Sequence, residues 1–153
     1  MKTVKGVAAS LAAVSLLFTV PAQAAGMSQA EKLRRLDIML MVTGLRCRTT
    51  ADNFQADYGR FTTKHLGALN AASNELKGDM ARRYGAAGAN RALDKLSVTM
   101  ANTYGQGHPW LNCGELKQVA RGLANAQGTG PLVEAADQLL AEGGSPKLAM
   151  SRR

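Results

Sequence analysis

Between Tyr104 and Cys113 the chain reads YGQGHPWLNC, which gathers the only tryptophan, one of two histidines and one of two cysteines into a single short run. Tyr104, His108 and Trp110 could offer stacking surfaces. Arg46 and Arg48, on either side of Cys47, and Asp52 just beyond could supply charge and polarity. A shallow pocket built from such a set would suit a carboxylate, a phosphate or a sugar. Catalysis needs an acid and a base placed together, and His108 with Asp52 is the one pair these residues offer. The competing reading is architectural: Trp110 plugs the space between helix ends while His108 caps a carbonyl.

Other motifs exclude more than they suggest. Gly105-Gln106-Gly107 follows a helical pattern rather than a strand, lacks the third glycine of a dinucleotide fingerprint and runs into Pro109. No G-x-x-x-x-G-K-[ST], H-E-x-x-H or G-x-S-x-G occurs. No cofactor is therefore implied. No metal site is implied either, because His65 and His108 stand apart in sequence and the cysteines have a better use. His65 falls within an apolar helical stripe, where a hydrogen-bonded core histidine is expected.

Two cysteines in a chain that carries an export signal predict a Cys47–Cys113 disulfide. It would tie the junction of the first two helices to the unusual loop and would outweigh His108 in stability. The alternative is a reactive thiol, since Arg46 and Arg48 would favour a thiolate and a helix start at Cys113 would lower its pKa.

The export signal lies in MKTVKGVAASLAAVSLLFTVPAQAAG: Lys2 and Lys5, an apolar run from Val7 to Val20, then Ala22-x-Ala24. Residues 1–24 are read as a signal peptide, the run being short of the roughly 20 residues a membrane-spanning helix needs. Without Lys2 and Lys5 the net charge of +8 falls to +6. Residues 143–153, with Gly-Gly-Ser-Pro and three basic side chains, are read as a disordered basic tail. The remaining basic excess is spread over helix faces as a solvated surface or an attraction to anionic partners outside the inner membrane. Export argues against nucleic acid as a partner.

What must position the loop is an all-α bundle of about five helices in a single domain over residues 25–142. Ser28-Gln29-Ala30-Glu31 is a capping box opening a first helix with Leu33, Leu36, Met39, Leu40 and Thr43 on one face and an end near Cys47. Phe54, Tyr58, Phe61, His65, Leu69, Ala72, Leu76, Met80 and Tyr84 then predict one long helix, capped by Thr50 or Asp52 and closed by Gly85 in the left-handed conformation. Gly59, Gly67 or Gly78 are the places for a bend. A third helix is expected over Ala87 to Thr103, and a fourth from Cys113 behind the capping box Asn112-Cys113-Gly114-Glu115. A fifth restarts at Pro131.

The runs LRRLDIMLMVTGLRCRTTADNFQADY and MANTYGQGHPWLNC resemble a family of small exported bacterial all-helical proteins of unknown function. The name S-adenosyl-L-homocysteine hydrolase is at times attached to such proteins. That enzyme is a larger NAD-dependent protein with a doubly wound sheet, and this chain shows neither a strand pattern nor a dinucleotide fingerprint. The resemblance implies a fold and a location and transfers no catalytic residue. The expected function is an exported, periplasmic or secreted, disulfide-tied module that binds a protein or an anionic envelope component. Two alternatives stand beside it: a small hydrolase-like enzyme built on His108 with Arg46 and Arg48, and a structural or stress-protective envelope protein.

Overall fold

The computed structural model describes residues 26–140. The predicted signal peptide and basic tail lie outside these residues. Five helices and no strand occur among the described residues: α1 Gln29–Cys47, α2 Gln55–Lys64, α3 Leu66–Tyr104, α4 Cys113–Asn125 and α5 Gly130–Leu139. The central element is α1, which packs against each of the other four. Its start is set by Ser28, whose hydroxyl accepts from the Glu31 amide at 3.1 Å. The expected return bond is replaced: the Glu31 carboxylate accepts from Arg35 Nε at 2.9 Å, a one-turn ion pair on the helix surface. Leu33, Leu36, Met39, Leu40 and Thr43 are all buried, as their spacing predicts. The buried Thr43 hydroxyl is satisfied within the helix, donating to the Met39 carbonyl at 2.7 Å.

Neither Thr50 nor Asp52 caps the next helix. Thr50 Oγ1 instead donates back to the Cys47 carbonyl at 2.8 Å and accepts from the Asp52 amide at 3.2 Å, tightening the turn after α1. The entry to α2 is set by packing: Phe54, at the N-cap position, is fully buried and lies over Gly44 of α1. A Cβ at Gly44 would sit 3.3 Å from Phe54 Cε2. Gly44→Val is therefore expected to lower stability by about 1–3 kcal/mol through overpacking. Urea denaturation of variant and wild type checks this, and a shift of under about 0.5 kcal/mol would show that the ring can move aside.

The long helix predicted from Phe54 to Tyr84 breaks at His65, not at Gly59, Gly67 or Gly78. His65 has φ −101° and ψ 15°, yet its amide donates to the Phe61 carbonyl at 3.0 Å and its carbonyl accepts from Leu69 at 2.9 Å. The backbone ladder is thus carried on both sides of the break. What holds His65 off the helical path is its side chain, with Nε2 2.8 Å from the Leu123 carbonyl near the end of α4. That bond confirms a satisfied core histidine.

Gly85 does have positive φ, 73°, but with ψ 169°, and the helix resumes beyond it through a kink to Tyr104. The expected third helix is therefore the second limb of α3. Such a backbone conformation is accessible to glycine and strained for other residues. The stretch α2 and first limb run back along α1: Phe54 meets Gly44, Tyr58 meets Asp37, and Leu76 and Met80 reach the start of α1. Beyond the kink, Arg35 contacts Met100 and Arg46 lies against Gly107, so the second limb returns in the direction of α1.

The Asn112 capping box forms as predicted: Asn112 Oδ1 accepts from the Glu115 amide at 2.9 Å, and Glu115 Oε2 from the Asn112 amide at 3.0 Å. Cys113 in the first turn of α4 is bonded to Cys47, the last residue of α1, with Cα atoms 5.7 Å apart. Pro131 sits in the first turn of α5, and Lys32 of α1 pairs with Asp137 at 2.7 Å to pin that helix. One core takes apolar side chains from all five helices.

Candidate functional site

The loop from Tyr104 to Cys113 is held from within. His108 is buried, and its Nε2 lies 3.2 Å from the carbonyl of Leu139, the last residue of α5. Its Nδ1 accepts from the amides of Trp110 at 3.4 Å and Leu111 at 3.3 Å. These partners assign the proton to Nε2, and every hydrogen-bonding position of the neutral ring is used. Burial lowers the His108 pKa below its ordinary 6.5, against a smaller opposing effect of the Leu139 carbonyl. Tyr104 is buried as well, stacked on His108 with ring centroids 5.4 Å apart, and its hydroxyl points at the same Leu139 carbonyl at 3.5 Å. Trp110 is half-buried and meets His108 edge-on at 4.6 Å; its buried indole N–H finds no acceptor among the described residues.

The two histidines do the same work. Each ring binds a carbonyl in the last turn of a helix: His65 reaches the Leu123 carbonyl of α4, which also accepts from the Ala126 amide at 3.2 Å, and His108 reaches the Leu139 carbonyl at the end of α5. Of the two readings of His108, the geometry answers to the carbonyl cap. His108 and Asp52 share no hydrogen bond and face different neighbours. The Asp52 carboxylate stands over Gly114, where an added Cβ would meet Oδ2 at 3.2 Å, and lies 4.0 Å from Lys117 Nζ. His108 and Asp52 therefore do not form the acid–base pair considered above.

Arg46 and Arg48 are placed differently. Both are exposed, and neither forms an ion pair among the described residues. The disulfide does draw Arg46 to the loop: its guanidinium arm crosses Gly107, whose φ of 113° and open α-carbon leave room where a Cβ would meet Nε at 3.4 Å. With Val42, Leu45, Ala101 and Gly105, the two arginines line an open depression of about 490 Å³. Leu45 is 47 % exposed, and Met41, one turn earlier on α1, is 42 % exposed. Tyr104, His108 and Trp110 do not line this depression. The six candidate residues thus divide into an internal set, Tyr104, His108 and Trp110, and an outer set of Arg46 and Arg48, with Asp52 engaged at the start of α4.

Two carboxylates elsewhere are perturbed for structural reasons. Burial raises the Asp37 pKa against the Tyr58 hydroxyl, which donates to Oδ1 at 2.9 Å, and against Arg34. Burial also opposes ionisation at Asp57, but Arg60 and Arg121 prevail and hold its carboxyl below the usual range. These pairs link α1 to α2 and α2 to α4, respectively.

A larger concavity was not foreseen from the residues. In the corner formed by α1 and the two limbs of α3, a groove of about 610 Å³ has Met80, Ala92 and Leu96 as its apolar lining, Tyr84 as a wall, and Arg91 and Lys95 at its edge. Tyr84 is the end of the apolar stripe on the long helix, yet it is 59 % exposed. In the sequence Tyr84 is simply the last member of that stripe, so no signal there pointed to the groove.

No group of three or more metal-binding side chains occurs among the described residues, and no helix among them is long and apolar enough to cross a membrane. Compared with protein-family models, with curated proteins and with solved structures, the chain matches none.

Proposed function

We propose that this protein is an exported binding module that engages an acidic protein surface through the Arg46–Arg48 shelf. The observation that carries the reading is the division of the candidate residues. His108 and Tyr104, which an enzyme would use, are spent on a helix-end carbonyl, while two arginines with no ion pair among the described residues stand beside exposed Leu45 and Met41. An apolar patch flanked by arginine is the composition of a protein-binding surface rather than of a catalytic cleft. Export is supported by Lys2, Lys5, the apolar run before Ala24 and the paired cysteines. An anionic glycan or lipid surface is the competing occupant, and it would need the charges without the apolar residues.

A photo-crosslinking side chain at Leu45, introduced in cells making the full chain, is expected to give a discrete protein adduct in the exported fraction. The adduct should disappear with Arg46→Glu and Arg48→Glu together. Absence of an adduct, or one that survives the charge reversal, would refute the shelf as the binding surface. Intact mass of the exported form should correspond to cleavage after Ala24, and an unprocessed chain confined to the cytoplasm would refute export.

A further inference from the structure

We infer that the groove at the Gly85 kink is a second, independent binding site, for a single-chain amphiphilic carboxylate of the fatty-acid class. Its volume of about 610 Å³ lies within the range of about 300–1,000 Å³ typical of small-molecule sites. Its lining has two characters. Met80, Ala92 and Leu96 with the face of Tyr84 make an apolar trough, and Arg91 and Lys95, one turn apart on the second limb, stand exposed beside it. Neither cation is in an ion pair among the described residues, whereas the Glu31 carboxylate across the groove is engaged by Arg35. The field at the edge is therefore positive. A small hydrophilic anion would use the charges and leave the trough empty, and an uncharged chain would do the reverse. An aliphatic chain ending in a carboxylate uses both, gaining with each methylene removed from water and from a charge-assisted contact at its head.

The backbone prepares this arrangement. Gly85 turns the second limb so that it faces the first, and Gly88 lets Tyr84 lie close: a Cβ at Gly88 would come within 2.7 Å of Tyr84 Cβ. Alanine at Gly88 must displace the aromatic wall. Tyr84 is then exposed because its partner is a ligand face rather than the core.

The test uses the full chain, purified as cells process it, titrated with dodecanoate and followed by calorimetry. Saturable one-to-one binding is expected. Arg91→Glu with Lys95→Glu should weaken it at least tenfold with helicity and melting temperature kept, and Gly88→Ala, which must shift the backbone at the kink, several-fold. Arg46→Glu with Arg48→Glu should leave it unchanged, which separates this site from the shelf. Dodecanol should bind at least tenfold more weakly than dodecanoate, and acetate should not bind measurably. No saturable dodecanoate binding would overturn the proposal. So would equal affinity in the folded Arg91/Lys95 variant, equal affinity for dodecanol, or binding that appears only on phosphatidylglycerol vesicles.

Discussion

Serine at Cys47 or Cys113 is expected to cost about 4 kcal/mol of folding stability, the largest effect of any single substitution considered. The bond closes a loop with a sequence separation of 66, and the chain-entropy account of cross-linking scales with the logarithm of that length. A loss of this size is comparable to the whole net stability of many small domains. It should appear as a fall in melting temperature on the order of 10–20 °C under oxidising conditions. The bond joins the last residue of α1 to the first turn of α4, so its loss also frees the Tyr104–Cys113 loop from the Arg46 side. Wild type treated with reductant should melt near the serine variants, and the variants should not respond to reductant. Equal melting of variants and wild type without reductant would refute the assignment.

His108→Ala is expected to follow, at about 2–3 kcal/mol, because it strands the amides of Trp110 and Leu111 and leaves the Leu139 carbonyl with only the long Tyr104 hydroxyl contact. The same ring predicts a pH dependence. Burial lowers its pKa in the folded protein relative to the ordinary 6.5 that the unfolded chain retains, so the folded state favours the neutral ring. Its contribution to stability is complete above about pH 6.5 and is lost as pH falls from there through the depressed folded value. Protonation places a second N–H against the two amides that Nδ1 now accepts from. Melting temperature should therefore decline below pH 6.5, and the difference between wild type and His108→Asn should shrink over the same interval. Asp37 and Asp57 are common to both proteins and cancel in that difference. A constant difference between pH 7.5 and pH 5 would show that the ring is not held neutral.

The chemistry-bearing residues were readable long before their roles were. Each of Tyr104, His108 and Trp110 is unusual enough to mark a loop, but the bonds that Tyr104 and His108 make depend on α5, more than 25 residues away. A hydrogen bond of this kind leaves no pattern in the sequence. Likewise, the apolar stripe from Phe54 to Tyr84 announces helix and does so correctly. That same stripe cannot announce that His65 will be drawn to the Leu123 carbonyl and break the helix there, since no glycine or proline marks the position.

What the amino-acid order determined by itself was what rests on neighbours within a turn or two, namely helical class, the Ser28 and Asn112 starts and the buried face of α1, together with the long-range Cys47–Cys113 bond, which the presence of just two cysteines fixed. Capping and periodicity act over three or four residues, and so they are written locally. Tertiary structure alone decided where the long helix breaks, which loop side chains turn inward, that Arg46 and Arg48 remain at the surface without carboxylate partners among the described residues, and that Tyr84 ends its stripe on the wall of a groove. Those outcomes depend on contacts between segments distant in the chain, whose energies exist only once α1 has gathered the other helices around it.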